Sequence, residues 1–310
     1  SVTKSNFWAN AKKIFNLAAD LPLDIGLTGR GLTGNMDVAK DPTGAVYDHF
    51  IADGIPLTEY TDSNPTVRDP YQLANLVAKN TSTGAVIATL TVVAPVSTEM
   101  RCDLCHSDGQ REGIATGVVE QNILTLHDRE EGTDLMSQRP VLCASCHASN
   151  ALGALGMGQP GIPNLSHAMH SKHSEEVSST LQGCYSCHPG PQTQCLRDVM
   201  SSSESKMTCI DCHGGLSQVA QSNRNPWLTE PRCDTCHDSG AFHQDQALYR
   251  MSRGHGGMYC EACHDSTHAI ATSTQPKDAI KFVYLQGHSG TLEKCTVCHL
   301  TEPNGPGPHQ

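Results

Sequence analysis

Aromatic side chains are scarce in this chain of 310 residues, at two Trp, seven Tyr and five Phe, or 5%. Hydrophobic residues of every kind reach only 37%, and the mean hydropathy is -0.36. A chain of this length ordinarily closes its core around large apolar side chains, and this one has few to spend. Basic residues are also in deficit: 21 Lys and Arg face 32 Asp and Glu, a formal charge of -11, which excludes a nucleic-acid partner held by its phosphates. No long hydrophobic run is present. The longest, residues 85–96, is interrupted by threonines and Pro95, so it is too short and too polar to cross a bilayer. No signal peptide stands at Ser1. Cysteine is missing from the first 101 residues altogether.

The remaining 209 residues contain all fifteen cysteines, and fourteen of them fall into seven Cys-x-x-Cys-His units. These are Cys102/Cys105/His106, Cys143/Cys146/His147, Cys184/Cys187/His188, Cys209/Cys212/His213, Cys233/Cys236/His237, Cys260/Cys263/His264 and Cys295/Cys298/His299. Two thiols at this spacing reach the two vinyl groups on one edge of a porphyrin, and the histidine that follows is set under the iron as its proximal ligand. Zinc sites also use Cys-x-x-Cys pairs, but they need no histidine fixed after the second cysteine. A disulfide framework does not explain that histidine either. The pattern therefore predicts seven covalently attached c-type haems. Flat, largely apolar cofactors would supply the buried surface that the composition lacks. Together with their propionates they would make a holoprotein still more acidic than the chain. Thioether attachment takes place on the outer side of the cytoplasmic membrane, so an export signal is expected to have preceded residue 1.

The distribution of cysteine divides the chain into a haem-free region, 1–100, and a heptahaem region, 101–310. In the first, Ser5 is placed to cap a helix running to Asp20, with Phe7, Trp8, Ala11, Ile14, Phe15 and Ala18 at helical spacing. Residues 71–79 and 85–93 are apolar and β-branched around Asn-Thr-Ser-Thr-Gly, the pattern of a β-hairpin. This region reads as a small α+β cap or an assembly element. In the second region, the first cysteines of successive units lie 41, 41, 25, 24, 27 and 35 residues apart. Such gaps leave room for one-turn helices at the attachment sites, a longer helix near 167–179, and otherwise loop. The expected fold is mostly coil with short helices, wrapped around a haem stack.

Seven irons need at most seven further axial ligands, and ten histidines lie outside the units. His255 and His288 precede units by five and seven residues and are flanked by glycines, which let backbone approach a flat ring. His268 follows His264 by four residues, so it is better placed to serve an adjacent haem. His170 and His173 share a face if helical and so can serve two neighbours. His127 has Asp128 beside it, a carboxylate able to orient its ring. These six leave one site open, for which His49, His167, His243 and His309 compete; His309 is the one taken as a metal ligand. Met200, Met207, Met251 and Met258 are expected to pack against porphyrin edges, and Cys195, the cysteine outside the units, to be a small packing residue.

Blocks along nearly the whole chain resemble an exported multihaem cytochrome family of metal-respiring bacteria. They are Lys-Ser-Asn-Phe-Trp at 4–8, Ala-Asp-Gly-Ile-Pro-Leu-Thr at 52–58, Pro-Val-Ser-Thr-Glu-Met-Arg-Cys-Asp-Leu-Cys-His at 95–106 and Val-Leu-Cys-Ala-Ser-Cys-His-Ala-Ser-Asn-Ala-Leu-Gly at 141–153. Further along come Cys-Tyr-Ser-Cys-His-Pro-Gly with Cys195 after it, Ser-Arg-Gly-His-Gly-Gly at 252–257 and Leu-Gln-Gly-His-Ser-Gly-Thr-Leu at 285–292. The resemblance implies His127, His170, His173, His255, His268 and His288 as ligands, while His49, His167 and His243 fall where the family has no fixed histidine. It also implies processing at both ends, since the family commonly begins before residue 1 and continues past a Gly-Pro-His like residues 307–309. More loosely, the organisation is similar to cytochromes that polymerise into extracellular conducting filaments.

The expected function is electron transfer along bis-histidine haems, without catalysis, in an exported protein at the outer cell surface or beyond it, or in the periplasm. Its expected partners are redox proteins or extracellular acceptors and further copies of the chain. The rival is a multihaem reductase of the nitrite or tetrathionate type, which needs one iron with an open distal side.

Overall fold

The structure, a computed structural model, describes residues 10–309 apart from 42, 62, 111–113, 238–242 and 306. It divides into two compact units. One comprises Ser1–Gln72, Pro95–Thr98 and His127–Leu142; the other comprises Leu73–Ala94, Glu99–Leu126 and Cys143–Gln310 and contains all seven Cys-x-x-Cys-His units. The boundary set by packing is thus not the boundary set by cysteine near residue 100.

In the first unit, α1 (Ala11–Ile14) is a single turn. The helix expected to run from 5 to 20 stops there because Asn16 takes φ +51°, outside the right-handed region; residues 5–9 lie outside the described residues. β1 (Asp37–Lys40) pairs antiparallel with β2 (Val46–Ile51), with Asp37 opposite Ile51 and Val38 opposite Phe50. Their turn is built on Asp41, whose Oδ1 accepts from the backbone N–H of Thr43 at 2.8 Å and Ala45 at 2.9 Å. This hairpin has no sequence signature, since only Ala39 of its ten strand residues is buried.

The second hairpin, β3 (Tyr71–Lys79) with β4 (Val86–Pro95), follows the alternation read from the sequence. Asn80 organises its turn by accepting from Ser82 N and Thr83 N, each at 2.9 Å, and Gly84 supplies the positive φ of +72° that closes it.

Beyond β4 the helices are short: α2 (Asp103–His106), α3 (Val119–Glu131), α4 (Leu165–His173), α5 (Leu181–Cys184), α6 (Cys209–His213), α7 (Leu216–Val219), α8 (Cys260–His264) and α9 (Ile280–Gln286). Every Cys-x-x-Cys-His unit touches a helical turn. Where that turn is tighter than an α-helix, as at Cys143–Ser145, Cys233–Thr235 and Cys295–Val297, the unit's histidine N–H still donates to the carbonyl of its first cysteine at 2.9 Å. The helix expected near 167–179 is α4. It starts earlier, because Asn164 caps it through Oδ1 to His167 N at 2.8 Å, and it ends at His173. The longest helix, α3, has no counterpart among the sequence expectations; its polar sequence hides its one buried apolar residue, Leu126.

Among the described residues eight apolar side chains are buried, three of them alanines at 11, 39 and 144, against ten polar ones. Large apolar residues including Met157, Trp227 and Leu300 are instead exposed. The polypeptide does not close a hydrophobic core of its own; its interior is tied by polar anchors. The most enclosed is Arg197 with Asp278, bonded through Nε–Oδ2 at 2.7 Å and Nη2–Oδ1 at 3.1 Å. Removing one partner of such a pair costs about 3–5 kcal/mol, because a buried charge is left unmatched.

Candidate functional site

Five histidines of the Cys-x-x-Cys-His units face five of the histidines outside them. His106 faces His173 with ring centres 6.2 Å apart, His188 faces His170 at 6.1 Å, His213 faces His268 at 6.0 Å, His299 faces His255 at 5.9 Å and His264 faces His309 at 5.7 Å. Two imidazoles bound on opposite sides of one metal ion, at about 2.0 Å per bond, put their centres about 6 Å apart. The narrow spread across five different loop settings matches that requirement. For His264 and His309 the facing atoms are the two Nε2, at 3.5 Å. Ring planes vary from 13° to 79° between partners, a rotation about the metal axis that ligation leaves free.

Local hydrogen bonds prepare these rings. On α4 the Cβ bonds tilt toward the helix N-terminus, so His170 Nδ1 donates back to Ser166 O at 2.8 Å and His173 Nδ1 to Met169 O at 2.7 Å. His147 Nδ1 likewise donates to Pro163 O at 2.9 Å, and His288 Nδ1 to Ser289 O at 2.9 Å. A carbonyl can only accept, so in each case Nδ1 holds the proton and Nε2 presents its lone pair. His127, on the last turns of α3, is oriented through a relay: its Nδ1 donates at 2.9 Å to Thr133 Oγ1, which donates at 2.6 Å to Asp128 Oδ1. The carboxylate expected to orient this ring acts through a hydroxyl. Burial, the first cause in each case, pushes His170, His188, His213, His264 and His268 below the ordinary histidine range and so keeps them neutral, as a ligand must be.

The thiols arrange the sites in series. Burial raises the Cys187 thiol, and nearby Cys102 and Cys105 raise it further, so the first unit lies beside the third. Cys209 is pushed up to about 11 by burial and then by Cys184, with which it also shares a hydrogen bond, joining the third unit to the fourth. Cys236 adds in the same way to Cys212, Cys260 to Cys233 and Cys298 to Cys263, each after burial. Six of the seven units therefore run first, third, fourth, fifth, sixth, seventh.

The second unit, Cys143, Cys146 and His147, stands outside that run, and at Cys146 the structure departs from the sequence expectation. The motif implies a thiol open to a porphyrin edge. Instead, Cys146 Sγ accepts from Gln159 Nε2 at 3.1 Å, and Gln159 N donates to Cys146 O at 2.8 Å. The physical reason is the loop that follows the unit. It turns back at Gly158, where φ is +66° and a Cβ would come within 2.3 Å of Ala148 N, and this close approach lays the Gln159 amide over the sulfur. Cys143 is exposed, whereas Cys146 is only part-exposed. Sulfur is a weak acceptor, so Gln159 loses little by turning aside when a thioether forms there.

The other sequence candidates are placed as follows. His309, at the extreme C-terminus, faces His264 of its own chain, which removes it as a donor to another molecule. His288 is half exposed with Nε2 at 3.6 Å from Glu293. His167 Nδ1 donates to Ala220 O at 2.6 Å. His243 is exposed, 3.7 Å from Asp234, and His49 stacks on Tyr47 at 5.5 Å between ring centres. His147 and His237 have no facing ring among the pairs above.

The residues that hold the units in place escape sequence reasoning. Asn122 of α3 donates from Nδ2 to His106 O at 2.8 Å. Gln244 Oε1 accepts from Cys233 N at 3.0 Å. Gln286 donates to the carbonyls of His288, Gly290 and Thr291 at 3.1–3.4 Å and accepts from Glu293 N at 3.0 Å, fixing the loop that carries His288. All three are buried, and a polar side chain amid loop sequence gives no advance sign of that. Among the described residues, no helix is long and apolar enough to cross a membrane. Compared with protein-family models, with curated proteins and with solved structures, the chain matches none.

Proposed function

We propose that this chain is a heptahaem c-type cytochrome and an electron conduit, in which thioether bonds to the fourteen unit cysteines hold the haems, with Gln159 turned away from Cys146, and paired histidines hold the irons. The observation that carries this reading is the series of facing histidines at 5.7–6.2 Å, laid along units whose thiols are neighbours. Haem iron held between two imidazoles cycles between ferric and ferrous states and so passes one electron at a time. The chain's part is to fix both rings, keep them neutral, and leave no coordination position for a substrate. That last requirement separates a conduit from a reductase. His127 and His288 are assigned to the two remaining sites, His147 and His237, without a choice of which serves which. Redox proteins or extracellular acceptors are the partners that fit, in a protein exported to the outer surface or the periplasm.

In the purified haem-loaded protein we expect an electron paramagnetic resonance spectrum of low-spin iron only, no tight binding of cyanide or nitrite, and reduction over a broad, mostly negative range. A stoichiometric high-spin signal would instead assign one site to substrate and favour the reductase.

Growth into a homopolymer, with a histidine supplied from one copy to the next, rests on His49 now that His309 faces His264. A repeated head-to-tail contact that does not close gives a filament. His49→Ala should then dissociate the polymer and turn one haem high-spin together. Native material that stays monomeric when concentrated, with every haem low-spin, would refute the assembly.

A further inference from the structure

Cys195 lies outside the seven units, and its Sγ sits 3.7 Å from Nδ1 of His268, the ring that faces His213. With Nε2 of His268 turned to the metal axis, Nδ1 has the proton and donates it to sulfur. This differs from His170 and His173, whose Nδ1 atoms donate to carbonyl oxygens at 2.8 and 2.7 Å.

The contact is built by several independent bonds. Arg197 N donates to His268 O at 3.0 Å and Val199 N to Ile270 O at 3.1 Å, laying the segment after Cys195 alongside the segment after His268. Thr274 N returns a bond to Arg197 O at 2.8 Å, and Arg197 itself is locked by Asp278. On the other side, Cys195 N donates to Pro189 O at 3.1 Å, next to His188 of the third unit. His268 has φ +69°, a conformation that a residue with a Cβ keeps only where its surroundings impose it. A loop leaving the third unit thus delivers one sulfur to the distal ring of the fourth.

Resting on the function proposed above, we propose that Cys195 is a positioning residue for His268, and that its sulfur makes the His213–His268 site easier to reduce than the neighbouring His188–His170 site. The partner of the outer ring nitrogen sets both the orientation of a ligating histidine and its basicity. A strong acceptor draws the Nδ1 proton away, makes the ring a better donor and favours ferric iron. Sulfur is a weak acceptor, so His268 donates less than a ring bonded to a carbonyl.

The test compares haem-loaded wild type with Cys195→Ser and Cys195→Ala by spectroelectrochemical titration, after haem content and spin state have been measured. Serine offers a harder acceptor and alanine none. We expect one-seventh of the haem absorbance to move, to lower potential in Cys195→Ser and to higher potential in Cys195→Ala. The expected size is a few-fold to about tenfold in the ferric-to-ferrous ratio at fixed poise, where tenfold is about 59 mV for one electron. Shifts in the same direction in both variants mean that Cys195 only fills space, and superimposable titrations mean that it tunes nothing; either overturns the proposal. Wild type without seven low-spin haems would overturn the functional reading instead, which keeps the two failures distinct.

Discussion

Replacing Cys260 and Cys263 by alanine is expected to cost the protein its fold and not merely one chromophore. The sixth unit ties together three stretches of chain: Cys260 N donates to Ser252 O at 3.0 Å, Ala271 N to His264 O at 2.9 Å, and Leu292 N to Cys263 O at 2.9 Å. The phenol of Tyr249, one of the few large buried rings, donates to Asp265 O at 2.9 Å just beyond the unit, and His309 is brought back to face His264. Nothing else near this junction supplies a conventional core. α8 is a single turn, and the neighbouring cavity beside Phe282 is lined by small and polar residues such as Ala269, Thr272 and Ser273. Without a cofactor between His264 and His309, the surrounding polar anchors would have to bear the ordering entropy of these loops, about 1–2 kcal/mol per residue for the backbone alone. The expected outcome in a haem-maturing host is degradation or an expanded chain, read by yield, limited proteolysis and hydrodynamic radius. A stable six-haem protein of unchanged radius would demonstrate a polypeptide core that the burial pattern does not contain.

That pattern also explains what the sequence can and cannot reveal. The attachment units are legible because covalent chemistry fixes the spacing of Cys, Cys and His within five residues. The β3–β4 hairpin is legible because apolar residues alternate around a turn that Asn80 and Gly84 specify. Illegible features share one cause, the absence of large apolar side chains to mark an inside. α3 is a polar helix, and the β1–β2 hairpin buries one alanine. The expected helix over 5–20 presents an apolar face, yet Asn16 turns the chain at φ +51°.

The distal histidines are legible as a group and not as pairs. Sequence spacing sends His268 to a neighbouring haem, but which neighbour depends on the backbone pairing of residues 197–199 with 268–270, which periodicity does not encode. His309, near the chain end, reads in the sequence as a residue able to reach another molecule; the structure folds that end back onto His264. Cys195 reads as a packing residue, and its contact with His268 depends on the same long-range pairing. The amide of Gln159 over Cys146 is equally hidden, since thirteen residues of loop separate the two and only the turn at Gly158 brings them together.

The double replacement of His170 and His173 by alanine should interrupt the conduit at its middle. The two residues are three apart on α4, so their rings leave the same face, yet they face different units: His170 meets His188 and His173 meets His106. Those units are the third and the first, which the thiols of Cys187, Cys102 and Cys105 make neighbours. One short helix therefore supplies the distal ligands of two consecutive sites. Its position is set without either ligand, by Asn164 at its start, by His167 donating to Ala220 O and by Arg224 donating to Ser166 Oγ at 3.1 Å, so alanine at both positions should leave the helix in place. Each single variant should turn one of the seven haems high-spin and open it to carbon monoxide; the double variant should do so for two. Electron passage from the first unit to the fourth should then slow markedly, because high-spin iron changes its coordination on reduction. The measurement is quantitative electron paramagnetic resonance with a carbon monoxide titration, followed by electron-transfer kinetics between a donor and an acceptor. A double variant that remains fully low-spin would mean that other rings, His167 being the nearest in sequence, complete these irons, and the pairing drawn from the 6.1 and 6.2 Å separations would be wrong.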